Sequence, residues 1–156
     1  MPGWRYRNSI PRLIMRLAAY SLVICCLADL RQDASAGPAI HVIANNTQDS
    51  NSLSIKELRA IFTMRLHEWP NHQPIKVFVL QQDNPVHIQF CKDILNAYPH
   101  QLQAGWDRLV YSGTGKAPDV VDSEQQMLEL IARTPGAIGY TQEVKADGNI
   151  KIINVQ

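Results

Sequence analysis

Three short polar stretches carry the side chains from which an anion site could be built. Gln82 and Asn84 lie in residues 81–85, between the β-branched run 75–80 and a helical pattern that begins at Val86. A strand–loop–helix step leaves unpaired backbone N–H groups and partial positive charge at the first helical turn. Asn84 fits the N-cap of that helix and Pro85 its first position. The second stretch is Ser112-Gly113-Thr114-Gly115-Lys116. Its hydroxyls, glycines and cation suit a phosphate or carboxylate group, although a plain connecting loop fits equally well. The spacing is not that of a P-loop, which excludes nucleotide hydrolysis on that motif. The third stretch, 45–50, holds Asn46 and Thr47 and follows the first apolar strand. Ligands of open α/β sheets sit beyond the carboxyl ends of strands, which makes this loop a third contact region.

Other reactive residue types point away from catalysis. His41, His67, His72, His87 and His100 are scattered, with no HxH or HxxxH pair and no carboxylate cluster beside them. Neither a metal nor a cofactor is expected. Cys91 has His87 four residues before it, on the same helix face. With no third group and no oxyanion site the pair does not make a nucleophile, and Cys91 reads as a small buried hydrophobe. Trp69, Trp106 and Tyr111 read as packing residues rather than a sugar platform. The chain is expected not to be an enzyme.

With 156 residues, 46% of them hydrophobic and 19% charged, the composition is that of a globular domain. Residues 1–36 are set apart. Arg5, Arg7, Arg12 and Arg16 precede an apolar run over 17–28, and Ala34-Ser35-Ala36 forms an A-x-A cleavage site. This is a signal peptide with cleavage expected after Ala36, and export to the periplasm follows from it. Retention of the run as an anchor is the competing reading. Residues 37–156 then form one domain with ten Lys and Arg against twelve Asp and Glu. No basic stripe remains for nucleic acid, and no membrane association is expected once the signal is removed. Cys91 alone survives and forms no internal disulfide.

The elements that must position the polar stretches follow in order. Residues 40–44 read as a buried strand. Ser54-Ile55-Lys56-Glu57 is a capping box ahead of Leu58, Ile61 and Phe62, which predicts an amphipathic helix to about Met64. A turn with Trp69-Pro70-Asn71 leads to the strand at 75–80. The helix after Asn84 carries Ile88, Cys91, Ile94 and Leu95 on one face and stops before Tyr98-Pro99. A further helix is predicted over 100–110, with Leu102, Trp106, Leu109 and Val110 apolar. A short strand is expected at Val120-Val121, and Ser123 or Asp122 caps a helix with Met127, Leu130 and Ile131 inward. Strands at 137–140 and 150–155 flank an Asp147-Gly148 turn. Alternation of strands and helices predicts an α/β domain with a small mixed sheet.

The order of these motifs resembles a known family. Ser54 through Phe62, then Trp69-Pro70, the step reaching Phe90, Trp106 to Tyr111 and Thr134-Pro135-Gly136-Ala137-Ile138-Gly139-Tyr140 follow one another as in the phosphate-binding proteins of phosphate ABC transporters. Their short single-domain relatives resemble the chain more closely. The resemblance spans about residues 40–155 and implies one lobe of a type II periplasmic-binding-protein fold. It also implies a phosphate site built from an arginine, two residues, a glycine and then Ser-Gly-Thr at the helix start. Counting back from Phe90, Leu80 stands at the arginine, and Asn84, Pro85 and Val86 replace Ser-Gly-Thr. A guanidinium fork, two hydroxyls and one N–H are thereby lost, and Asp83 adds repulsion. The resemblance therefore implies an exported solute-binding-like protein with weak affinity for phosphate or another small oxyanion, through Asn46, Thr47, Gln82, Asn84, Ser112, Gly113 and Thr114. The alternative is an accessory module that has lost its small ligand and docks an envelope protein.

Overall fold

A computed structural model describes residues 38–143 and 148–156. The signal peptide and cleavage site expected in residues 1–36, and Asp147 of the expected turn, lie outside the described residues. Six strands form one mixed sheet: β1 (His41–Asn45), β2 (Ser52–Leu53), β3 (Lys76–Leu80), β4 (Asp119–Val121), β5 (Ala137–Thr141) and β6 (Ile150–Val155). Their order is β2-β6-β1-β5-β3-β4. β1 is antiparallel to β5 and β6, whereas β3 is parallel to both β5 and β4 and β2 is parallel to β6. One central strand thus runs against the other five. β2 has no alternating pattern of its own and exists because residues 52 and 53 pair with Asn154 and Val155.

Among the described residues four α-helices flank the sheet. α1 (Ile55–Phe62) starts on the expected capping box, with Ser54 Oγ accepting from Glu57 N–H and the Glu57 carboxylate accepting from Ser54 N–H at 2.8 Å. The Ser54 hydroxyl also donates to that carboxylate, at 2.7 Å, and this bond together with the one from Ser54 N–H holds the Glu57 carboxyl below its ordinary pKa. Leu58, Ile61 and Phe62 are buried. α2 (Pro85–Gln89) does not run on as a regular helix: residues Phe90–Ile94 form a π turn, ended by Leu95 N–H bonding to the Phe90 carbonyl. α3 (Pro99–Tyr111) buries Leu102 and Trp106, while Val110 and Tyr111 are exposed, so Tyr111 takes no part in the packing expected of it. α4 (Glu124–Arg133) packs Met127, Leu128 and Ile131 onto β5, β1 and β3.

The Thr134–Tyr140 motif has a plain packing basis. Gly136 sits at φ +75°, where a Cβ would meet the Pro74 carbonyl oxygen at 2.3 Å. A Cβ on Gly139 would meet Met127 Sδ at 2.7 Å and Ile131 Cδ1 at 2.8 Å, so this glycine sets how closely α4 lies on β5. The Gly136 carbonyl also accepts from the indole of buried Trp69 at 2.9 Å, and the Phe62 carbonyl accepts from the indole of Trp106 at 2.8 Å. Both tryptophans are core residues, each with its one polar atom satisfied. Among the described residues no helix is long and apolar enough to cross a membrane.

Candidate functional site

The reversed direction of β1 divides the three polar stretches between two ends of the sheet. Gln82 and Asn84 follow β3 at the carboxyl end of the parallel strands. The stretch with Asn46 and Thr47 follows β1, so it emerges beside the amino ends of β3 and β5. There Thr47 Oγ1 accepts from Gly136 N–H at 3.3 Å and lies 3.4 Å from Gln73 Nε2. The 112–118 loop precedes β4 and lies at that same amino end. Its residues 115–118, but not Ser112, Gly113 or Thr114, line a cavity of about 320 Å3 with Met64, His67, Ile75 and Lys76. The seven candidate residues are therefore not one constellation.

At the carboxyl end the helix-start geometry is as expected, and the donor at the second helical position is already taken. Pro85 brings no N–H, and Asn84 Oδ1 accepts from Val86 N–H at 2.9 Å. Asn84 N–H itself goes to the Gln81 carbonyl. The neighbouring strand ends are closed in the same manner. Ser123 Oγ accepts from Gln126 N–H, and Gln126 Oε1 accepts from Asp122 N–H. The Glu124 carboxylate accepts from Thr141 Oγ1 at 2.6 Å and from Gln142 N–H, which places an internal anion where an external one would seek donors. The charged residues that directly follow β3, β4 and β5 (Asp83, Asp122, Glu124 and Glu143) are all acidic. Gln82 is exposed and has no hydrogen-bond partner among the described residues, leaving its amide open to solvent.

At the amino end the hydroxyl-rich loop is a helix terminator. Gly113, at φ +68°, turns the chain back so that Gly113 N–H bonds to Val110 O, and Thr114 and Gly115 N–H bond to Leu109 O. Ser112 Oγ lies 2.7 Å from Thr114 Oγ1 and donates to Leu109 O. The loop faces the carbonyl end of α3, the negative pole of its macrodipole, which disfavours an anion beside those hydroxyls. The signal for this was in the sequence: a glycine directly after a helical pattern is the ordinary C-terminal stop. Asn46 is likewise spent locally, its Nδ2 donating to Gly148 O and its N–H to Asn149 O. Asn45 is buried and donates to the Ile131 and Ala132 carbonyls at the end of α4.

Beneath α2 lies a buried polar group that sequence patterning placed on two separate elements. His87 is 1% exposed and its Nδ1 is 2.5 Å from the hydroxyl of fully buried Tyr140. That hydroxyl also accepts from Leu80 N–H at 2.9 Å, so its own proton goes to His87 Nδ1. The imidazole is then the neutral Nε2–H tautomer, with Nε2 3.5 Å from Cys91 Sγ. Burial lowers the His87 pKa and pushes the Cys91 thiol up to about 12. It raises Tyr140 as well, against the opposing effect of the Leu80 bond. Phe90 stacks on Tyr140 with ring centres 3.9 Å apart. A neutral histidine, a protonated phenol and a protonated thiol sealed from solvent make a structural joint between α2, β3 and β5. Among the described residues no set of three His, Cys, Asp or Glu side chains could hold a metal ion.

A six-stranded mixed sheet with helices starting beyond the carboxyl ends of its parallel strands is the architecture of one lobe of a periplasmic binding protein. Solved structures bear this out. The chain is similar to a putative phosphate ABC transporter substrate-binding protein with bound phosphate from Clostridium perfringens, with a TM-score of 0.59 at 17% identity. That match covers 74% of this chain and 44% of the other. It is similar also to an ABC-type phosphate transport receptor from Vibrio cholerae, with a TM-score of 0.58 at 15% identity over 74% and 45% of the two chains. PstS from Borrelia burgdorferi gives a TM-score of 0.54 at 15% identity, over 75% and 47%. The chain spans less than half the length of each of these neighbours. No family model matches the sequence, and neither does any curated protein. At such identities the likeness shows the fold, which is the one the motif order implied.

Proposed function

We propose that the chain is an exported, non-enzymatic solute-binding-type lobe whose anion end has become largely closed, so that phosphate or another small oxyanion binds weakly. The fold shared with phosphate-binding proteins supports the ancestry. The Asn84 Oδ1 to Val86 N–H bond, with Pro85 beside it, carries the reading of weak affinity. An incoming oxyanion would have to displace a cap contributing about 1 kcal/mol, and would meet acidic neighbours with no guanidinium to compensate its desolvation. Gln82 and Asn84 are its contacts at this end; Ser112, Gly113 and Thr114, with Asn46 and Thr47, form a separate and weaker set. Export to the periplasm rests on the basic and apolar N-terminal sequence.

A second reading, a docking module for an envelope protein with no small ligand, is favoured by the Glu124 carboxylate satisfying the donors at the end of β5. The two separate on thermal unfolding of the protein with millimolar phosphate, at two chloride concentrations. A ligand that binds only the native state raises the Tm. The weak-binding reading expects a small phosphate-specific rise that grows with concentration. No rise at about 50 mM, far above a working Kd for a solute-binding protein, would leave the docking reading alone.

A further inference from the structure

A second concave surface lies away from both ends of the sheet. The trough between α1 and α3 has a volume of about 620 Å3, within the range of small-molecule sites. Its floor is apolar: Ala60 from α1, Leu95 and Ala97 from the exit of the π turn, and Leu102 from α3. The π turn shapes it, because Leu95 and Ala97 N–H bond back to Phe90 and Cys91 and Asn96 takes φ +47° between them. Three cations line the trough, Lys56, Arg59 and Arg65, and none of its lining residues is acidic. Among the described residues no carboxylate pairs with any of the three, and the neighbouring Glu57 is occupied in the capping box. Arg59 is held in place by its Nε–H donating to the Leu95 carbonyl at 2.6 Å, and its terminal nitrogens have no hydrogen-bond partner among the described residues. Ala97 also borders a separate hollow of about 350 Å3 beside Lys92 and Tyr98.

We infer that this trough binds a small amphiphilic carboxylate, its headgroup among Lys56, Arg59 and Arg65 and its apolar body along Leu95, Ala97 and Leu102. The charge is complementary to a single anionic head, and an anchored guanidinium pairs with a carboxylate as a planar fork. The floor supplies the apolar burial that a bare inorganic anion could not use. This inference is independent of the reading of the sheet ends.

The test follows backbone amide shifts of the full-length protein with octanoate, and with acetate and 1-octanol as probes lacking the body and the head respectively. Octanoate is expected to move the Ala60, Ala97 and Leu102 amides saturably, with acetate and 1-octanol far weaker. The double variant K56Q/R65Q removes two cations whose side chains make no hydrogen bond among the described residues. It is expected to weaken octanoate about tenfold, while 1-octanol is unchanged. Equal binding of octanoate and 1-octanol would overturn the inference, as would an unaltered double variant. So would shifts centred on Asn84 or Lys116, or no saturable shift by about 20 mM octanoate.

Discussion

The two ends of the sheet carry similar polar residues and do different work. At the carboxyl end, Asn84, Ser123 and Glu124 satisfy helix-start and strand-end donors that an anion would otherwise use. At the amino end, Ser112, Gly113 and Thr114 satisfy helix-end acceptors, so the same residue types face a negative pole. A hydroxyl–glycine cluster therefore means an anion cradle or a helix stop according to which end of a helix it meets. The carboxyl end is also tied to the core, since Leu80, at the end of β3, hands its N–H to Tyr140 and Tyr140 its proton to His87. The amino end is tied to the core by neutral amide and indole bonds instead, Asn45 to Ile131 and Trp69 to Gly136, and it presents Lys76 and Asp119 to solvent, 3.7 Å apart.

That contrast can be broken at several points. Tyr140→Phe leaves the Leu80 N–H and His87 Nδ1 buried without their partner, and is expected to destabilise by about 3 kcal/mol in urea unfolding. A change below about 1 kcal/mol would mean the joint is replaceable. The His87 joint also predicts a pH dependence. Because burial lowers the folded-state pKa, the unfolded chain takes up a proton that the native protein refuses. Stability should fall as the pH drops below the ordinary histidine value of about 6.5, by at most about 1.4 kcal/mol per pH unit. His87→Gln should flatten that slope, whatever its effect on absolute stability. Asn84→Ala removes the cap and is expected to cost about 1 kcal/mol, whereas Asn84→Gly costs a few tenths. The glycine variant frees Val86 N–H with little loss of stability, so it should enlarge any phosphate-dependent rise in Tm. At the amino end Lys76→Ala breaks an exposed pair and should change stability by less than about 0.5 kcal/mol.

Local chemistry was readable from sequence wherever a rule spans only a few residues. Ser54 and Glu57 announced α1, Asn84-Pro85 announced α2, and Gly136 and Gly139 sit where backbone geometry admits no side chain. Strand direction was not readable. An apolar run looks the same in either sense, so residues 45–50 were expected at the ligand end, and the antiparallel pairing of β1 carries them to the other. The His87–Tyr140 bond joins residues 53 apart, and the i, i+4 relation of His87 and Cys91 was the only local hint of it. The π turn has no signature in the apolar spacing of Ile88, Cys91, Ile94 and Leu95, and it reduces Ile88 and Ile94 to half-buried positions while His87 becomes fully buried. The trough beside α1 has no local signature, because Lys56, Arg59 and Arg65 meet Leu95 and Leu102 only through the tertiary fold.

The most direct test of the closed carboxyl end is an amide NMR titration with phosphate, following Val86, Gln126 and Gln142 against a chloride control of equal ionic strength. Internal satisfaction by Asn84, Ser123 and Glu124 predicts that these three amides move little, and without saturation, up to about 10 mM phosphate. Large saturating shifts of Val86 and Gln142 at micromolar phosphate would contradict the account, showing that the ligand displaces both caps.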